Sequence, residues 1–175
     1  MSELKPKIVR GNLDASRLRV AIVVSRWNDL LTSQLLRGAL RGLEGCGAGE
    51  DQLEVLEVPG ALELPLATLR AAESGRFDAV IALGVVIRGE TPHFEFVAGQ
   101  AASGIASASL SSRTPIAFGV VTADTVEQAT NRCGLKSGNK GYEAALAAIE
   151  MANLLKAADL AGAGQQKEKA FPHVV

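Results

Sequence analysis

The chain has 175 residues, of which 47% are hydrophobic, and this size and composition fit one buried core better than two. Its 18 basic and 19 acidic residues give a net charge of −1, which excludes the strongly basic surface typical of nucleic-acid-binding proteins. No segment has the length and apolar content of a membrane span, so we expect a soluble globular chain without nucleic-acid or membrane partners.

The first residues and the cysteines predict a cellular location and exclude some chemistry. Residues 1–7 contain no continuous apolar stretch of the kind that directs secretion, so the expected location is the cytoplasm. Cys46 and Cys133 lie far apart and form no C-x-x-C spacing. This favours two reduced thiols over a disulfide or a metal site.

Short apolar runs predict the strands of a parallel sheet. They are rich in Val, Ile, Leu and Ala, and most are nearly continuous, which is the pattern of parallel strands covered on both faces. The runs lie at 19–25, 53–58, 79–87 and 116–121.

Helical patterns alternate with these strands. The first follows a cap at Asn28 or Asp29 and carries apolar residues at every fourth position over 31–43. The others span about 62–72, 92–111 with Thr91 as N-cap, a segment opened by a Thr-x-x-Gln capping box at 125–128, and 142–158. The alternation predicts an α/β fold, a three-layer αβα sandwich with a central four-stranded parallel sheet of the flavodoxin-like kind. We expect this single domain to cover 1–160, followed by a mobile tail at 161–175.

Two helices carry more apolar surface than one sheet face can cover. The third has no charged residue over 96–112 and is rich in Gly, Ala and Ser, and the last is apolar around most of its circumference. Such helices are buried on more than one side. A well-covered monomer is one explanation, and self-association into a homo-oligomer is the one that we favour.

The loops after the strands hold the candidate site residues, because ligands of open α/β sheets bind beyond the carboxyl ends of the strands. Trp27, the only Trp of the chain, follows the first run and either packs in the core or offers a flat ring to a ligand. Glu63 lies in the first turn of the second helix, where it either complements the helix dipole or binds a ligand.

The loop after the third run is the most informative. His93 lies at the start of the third helix, and imidazole exchanges protons near neutral pH, which suits general acid–base catalysis. The same helix start offers backbone N–H groups to an anion such as phosphate. Arg132 and the glycine-rich segment 136–141 add cations. These features predict a small phosphorylated ligand, an acid–base histidine and a stacking ring.

Several longer motifs occur in one order along the chain. They are RWN at 26–28, VPGALELP at 58–65, GVVIRGETPHF at 84–94, FGVVT at 118–122 and RCGLKSGNKG at 132–141. Over about residues 11–160 the chain thereby resembles the 6,7-dimethyl-8-ribityllumazine synthase family. The resemblance implies a transferase that condenses 5-amino-6-(D-ribitylamino)uracil with 3,4-dihydroxy-2-butanone 4-phosphate. The products are the lumazine, phosphate and water, in the penultimate step of riboflavin biosynthesis, and neither a cofactor nor a metal is implied.

The resemblance also implies roles for individual residues. The positions that match pyrimidine and ribityl binding are Trp27, Asn28, Ala61, Leu62, Glu63, Val85, Val86, Ile87, Phe118 and Lys140. The positions that match phosphate binding are Gly89, Glu90, Thr91 and Arg132. His93 matches the proton-transfer residue, and Phe118 matches a ring that closes the pocket from a neighbouring subunit. Trp27 and Leu62 stand where Phe is more frequent in the family.

The resemblance further implies an assembly. Family members form pentamers with active sites between subunits, and some stack pentamers into a 60-subunit icosahedral shell. The short turn at 134–139 is similar to that of shell-forming members, so we expect the shell first and a free pentamer second. A flavodoxin-like flavin-binding module and an inactive structural shell protein stay open as alternatives.

Overall fold

A parallel sheet forms the centre of the structure. The computed structural model describes residues 4–158, so the predicted tail at 161–175 lies outside the described residues. The strands are β1 (Val20–Ser25), β2 (Leu53–Val58), β3 (Ala79–Ile87) and β4 (Ile116–Ala123). They form a 4-stranded sheet in the order β2-β1-β3-β4, and all neighbours are parallel.

Helices cover both faces of this sheet. They are α1 (Asp29–Gly45), α2 (Leu64–Glu73), α3 (His93–Ser112), α4 (Val126–Arg132) and α5 (Lys140–Ala157). Helices α1 and α5 pack on one face in an apolar cluster that includes Ile22, Leu35, Ile81 and Ile149. Helices α2 and α3 pack on the other face in a cluster that includes Val23, Leu64, Val80 and Ile105. The predicted three-layer α/β sandwich is therefore confirmed.

The strand order determines where a ligand can bind. From β1 the chain moves outward to β2 and then crosses back to β3 on the other side of β1. The direction of winding thus reverses between β1 and β3. In open α/β sheets, the crevice at the carboxyl ends of the strands next to such a reversal is the usual ligand site.

The helix starts differ in part from the predicted ones. Thr125 caps α4, since its side chain accepts a bond from the backbone N–H of Gln128, as predicted. Asn28 occupies the N-cap position of α1 but makes no capping bond with its side chain. The prediction of Thr91 as the cap of α3 is wrong, because Pro92 takes that position, and the fixed φ of proline already suits a helix start.

Helix α5 begins at Lys140, two residues before the predicted start at Tyr142. The cause is Asn139, whose side chain accepts hydrogen bonds from the backbone N–H groups of Gly141 and Tyr142. The Asn139 amide also donates to the carbonyl of Gln34 in α1, at 2.8 Å. This N-cap residue therefore fixes both the start of α5 and its contact with α1.

Helix α3 leaves much of its apolar surface uncovered. Its buried residues are Ala101, Ile105 and Ala108, whereas the Phe96 and Leu110 side chains are 67% and 82% exposed. Exposed apolar residues on a helix with few charges are typical of an interaction surface. Self-association of this chain stays a prediction. Over residues 4–158, no helix has the length and apolar character needed to cross a bilayer.

Candidate active site

A cavity of about 380 Å³ lies at the carboxyl edge of the sheet, within the size range of small-molecule sites. Its wall is built from the loops that follow β1, β2 and β3 and from the first turns of α3. The lining residues are Trp27, Asn28, Gly60, Ala61, Leu62, Glu63, Val85, Val86, Ile87, Gly89, Thr91, His93, Phe94 and Val97. Most of the predicted site residues therefore lie around one pocket.

The loop after β1 supplies an aromatic ring to the pocket. The backbone N–H groups of Arg26 and Trp27 donate to the carbonyls of Val58 and Pro59, at 2.8 and 3.1 Å. This continues the β1–β2 pairing beyond the strands and holds the loop in place. The Trp27 side chain is 74% exposed, so the alternative of a core tryptophan is wrong, and the ring is open to a ligand.

Asn28 connects this loop to the neighbouring strand. Its backbone has a left-handed conformation with φ of 64°, which Asn tolerates better than most residues. Its side-chain amide donates to the carbonyl of Val85 at 2.9 Å. The loop after β1 is thereby fixed to the carboxyl end of β3, and both line the pocket.

The segment after β2 forms the opposite wall. Pro59 and Gly60 are followed by a short 3-10 helix, Ala61–Glu63, which leads directly into α2. Ala61 is buried, whereas Leu62 and Glu63 are exposed. A carboxylate and an apolar side chain therefore face the pocket from a turn of fixed geometry, a combination that suits a ligand with hydroxyl groups and a flat apolar body.

The loop after β3 leads to His93 at the first position of α3. No side chain caps this helix start. The Glu95 N–H donates to the Pro92 carbonyl, and the N–H groups of His93 and Phe94 are open to an acceptor from outside the helix. Gly89, Thr91 and His93 all line the pocket there. An uncapped helix start and an imidazole thus occupy the same wall, a combination that suits a phosphorylated ligand that undergoes proton transfer.

Four predicted site residues lie outside this pocket. Phe118 is 47% exposed on β4 and pairs with Ala82, about 16 Å down the sheet from the carboxyl edge. Arg132 lies at the end of α4, beside a separate cleft that Lys136 also lines. Lys140 pairs with Glu143 on α5, and Glu90 is an exposed residue of the loop before α3.

The family model for 6,7-dimethyl-8-ribityllumazine synthase matches residues 17–156 of this chain. The chain belongs to the 6,7-dimethyl-8-ribityllumazine synthase family. The match spans all strands of the sheet and every residue that lines the pocket. The predictions of an enzyme, a transferase, and of a part in riboflavin biosynthesis are thereby confirmed.

In this member of the 6,7-dimethyl-8-ribityllumazine synthase family, three residues beyond the predicted set line the pocket. They are Gly60, Phe94 and Val97. Val97 follows His93 by four positions, and residues with that spacing share a face of a helix. Gly60 lies in the turn that carries Ala61. Val97 and Gly60 could therefore have been predicted from their neighbours in the sequence.

In this family member, Glu63 is the carboxylate among the residues that line the pocket, and neither cysteine lies there. Over residues 4–158, no His, Cys, Asp and Glu side chains form a group of three or more that could hold a metal ion. Burial raises the pKa of the Cys133 thiol to about 11. This thiol is fully buried, and Cys46 is half-buried on the same side of the sheet. Neither cysteine lines the pocket.

Proposed function

We propose that this chain condenses 5-amino-6-(D-ribitylamino)uracil with 3,4-dihydroxy-2-butanone 4-phosphate to 6,7-dimethyl-8-ribityllumazine, phosphate and water. The observation that carries the proposal is that the Trp27 ring, the Glu63 carboxylate and His93 line one pocket together with an uncapped helix start. These groups match the two substrates, one a flat ring with a polyol chain and the other a small phosphorylated ketone.

In this proposal the pyrimidine stacks on Trp27. Asn28, Ala61, Leu62 and the end of β3, with Val85, Val86 and Ile87, surround it and the ribityl chain. The Glu63 carboxylate accepts hydrogen bonds from ribityl hydroxyl groups, because an ionised carboxylate is a strong acceptor. A polyol held at one end and a ring stacked at the other fix the position of the amine that reacts.

The phosphate of the second substrate binds the backbone of Gly89, Glu90 and Thr91 at the start of α3. Arg132 supplies the opposite charge, since a guanidinium binds phosphate with two parallel hydrogen bonds. Arg132 lies away from the pocket of its own chain. In the proposed site it therefore comes from a neighbouring copy, as do Phe118 and Lys140.

His93 moves protons in this proposal. The substrate amine attacks the ketone carbonyl, and loss of water gives an imine. Loss of a proton and of the phosphate group then allows the second amine to close the ring with loss of a second water. The amine is the nucleophile and the ketone is the electrophile, so the protein has to orient them and exchange protons. The proposed reaction uses no cofactor and no metal.

The proposed site requires an assembly in which neighbouring copies meet at the carboxyl edge of the sheet. A cyclic pentamer fits this requirement, because each copy then gives residues to one neighbour and receives them from the other. The exposed apolar residues of α3 provide surface for such contacts. We propose the pentamer as the unit and the 60-subunit shell as its further assembly, in the cytoplasm.

Two rival functions make different predictions. A flavin-binding module would carry a Ser-, Thr- or Gly-rich phosphate loop after β1, where this chain has Arg26, Trp27 and Asn28. Purified protein of that kind would be yellow. An inactive shell protein would assemble without forming product, and it would not need His93 and Arg132, both of which this chain has.

The direct experiment mixes both proposed substrates with the purified chain and follows the fluorescence of the lumazine product. We expect product to form with release of one phosphate per lumazine. The reaction without protein is the control for the slow uncatalysed condensation. No increase above that control, at any protein concentration, would refute the proposed function.

A further inference from the structure

The side chain of Arg88, the first residue after β3, contacts three residues in two parts of the structure. Its Nε donates to Oδ1 of Asp124 at 2.7 Å, and its Nη1 donates to Oε1 of Glu95 at 2.6 Å. Its Cζ lies 4.2 Å from the centre of the Phe94 ring. Its backbone N–H also donates to the carbonyl of Ala123, at 2.9 Å. One guanidinium therefore connects the ends of β3 and β4 to the first turn of α3.

This connection adjoins the pocket. Phe94 and its neighbour His93 both line the cavity, and the loop from Gly89 to Pro92 between β3 and α3 contains no helix or strand. No side chain caps α3. Among the described residues, the side-chain hydrogen bonds that hold this helix start to the sheet edge are those of Arg88.

We propose that Arg88 is a positioning residue for the reaction, which fixes the first turn of α3 against the sheet edge through Glu95 and Phe94. In this way it sets the position of His93 and of the N–H groups that bind the phosphate. The inference rests on the proposed function. Arg88 itself does not line the pocket, so it acts on the substrates only through its neighbours.

The chemistry of the side chain suits this task. A guanidinium is planar, so it can hydrogen-bond two carboxylates with its edges while its face covers an aromatic ring. The hydrogen bonds that Arg88 donates to Asp124 and then to Glu95 raise the pKa of its guanidinium above the usual range, and an arginine is charged at all working pH values in any case. A lysine ammonium could pair with one carboxylate but could not keep all three contacts.

Arg76 provides a matched control within the same chain. Its guanidinium also pairs with a carboxylate, that of Glu54, through bonds of 2.9 Å. It also lies over a neighbouring ring, with Cζ at 4.7 Å from the centre of Phe77. Arg76 precedes β3, however, and so lies at the amino ends of the strands, whereas the pocket lies at their carboxyl ends. Both arginines are partly exposed, so their ion pairs contribute similarly and modestly to stability.

The experiment compares Arg88→Gln, Arg88→Lys and Arg76→Gln in the full-length assembled protein. For Arg88→Gln we expect kcat/KM for the phosphorylated ketone to fall at least about tenfold, because small displacements of reacting groups are costly. The KM for the pyrimidine substrate should stay within about twofold, since Trp27 and Glu63 belong to other loops. Arg88→Lys should recover part of the loss, and Arg76→Gln should match the unchanged chain.

A second measurement is independent of activity. Hydrogen–deuterium exchange should be faster over residues 93–97 in Arg88→Gln, and unchanged there in Arg76→Gln, with similar unfolding midpoints for both. If the unchanged chain forms no lumazine, the proposed function fails, and the exchange result still decides whether Arg88 holds the helix start. Kinetics and exchange in Arg88→Gln equal to those in Arg76→Gln would overturn the inference.

Discussion

The side-chain amide of Asn28 donates a hydrogen bond to the carbonyl of Val85, at 2.9 Å. These residues are far apart in sequence, yet the bond joins the loop after β1 to the carboxyl end of β3, where both line the pocket. Because the Asn28 backbone is left-handed, its side chain points across the sheet edge instead of capping α1. This amide thus joins two walls of the pocket, while the backbone bonds of Arg26 and Trp27 hold the same loop to the segment after β2.

We expect Asn28→Asp to destabilise the protein more than Asn28→Gly. Glycine keeps the left-handed backbone but loses the bond to Val85, at a cost of about 1 kcal/mol. Aspartate keeps the shape of the side chain but turns an oxygen toward the Val85 carbonyl oxygen, which adds repulsion. Thermal unfolding at fixed protein concentration measures the order, and equal midpoints for the two variants would contradict it.

Gly141 marks the close approach of α5 to α1. A Cβ atom at this position would overlap the backbone carbonyl of Leu35, and two backbones cannot separate without repacking both helices. We expect Gly141→Ala to lower the free energy of unfolding by about 3 kcal/mol. Gly45→Ala, where a Cβ meets nothing within 4 Å, is the control and should be neutral or slightly stabilising. Equal effects of the two changes would contradict the close approach of α5 to α1 at Gly141.

The cysteines should differ sharply in reactivity. Burial raises the pKa of Cys133 to about 11, so the folded chain keeps this thiol protonated at pH 8, and no reagent reaches it. In Cys46→Ala, a thiol-specific reagent should label native protein very slowly and denatured protein at once. Rapid labelling of native Cys46→Ala would show that Cys133 is accessible.

The same shift affects alkaline stability. The unfolded thiol loses its proton near its ordinary pKa of about 8.5, whereas the folded thiol does so near about 11. The unfolded state therefore binds fewer protons between these values, and stability falls as the pH rises through that window. The double variant Cys46→Ala/Cys133→Ala also lacks the Cys133 thiol. Its unfolding midpoint should therefore fall less steeply with rising pH than that of Cys46→Ala.

His93 and Arg132 should affect different kinetic constants. We expect His93→Ala to lower kcat by about tenfold to a hundredfold, because the substrates supply the nucleophile and the electrophile themselves. Arg132→Ala should raise KM for the phosphorylated ketone by about tenfold or more, since a charged hydrogen bond to phosphate is lost. Arg70→Ala, which removes an exposed ion pair on α2, is the control. Unchanged kinetics in Arg132→Ala would remove that residue from the proposed site.

The architecture could be predicted because its signals are local. Buried parallel strands need apolar residues on both faces, so the apolar run at 79–87 predicts β3 with its observed bounds. Helix boundaries were less predictable. Side chains of Asn28, Thr91 and Asn139 can all cap a helix, and only tertiary contacts decide which of them does so.

The candidate site could be predicted only in part, for a physical reason. Residues that follow strands β1 to β3 must meet at one edge of the sheet, so their order in the sequence already places Trp27, Glu63 and His93 together. Whether Trp27 is buried depends on what packs over the loop, which no local pattern encodes. The distance of Phe118 and Arg132 from the pocket likewise depends on the three-dimensional course of β4 and α4.

In the proposed function, each site combines the pocket of one copy with Arg132 of its neighbour. At a concentration of the phosphorylated ketone well below its KM, Thr91→Asp, which repels phosphate, and Arg132→Ala should each have about a tenth or less of the unchanged activity. When both are co-expressed with different tags and doubly tagged assemblies are purified, about a quarter of the sites in a random cyclic mixture contain Thr91 from one copy and Arg132 from the next. We predict that the mixed assemblies regain about a quarter of the unchanged activity. If the mixed assemblies are no more active than either variant alone, the site is not shared between neighbouring copies.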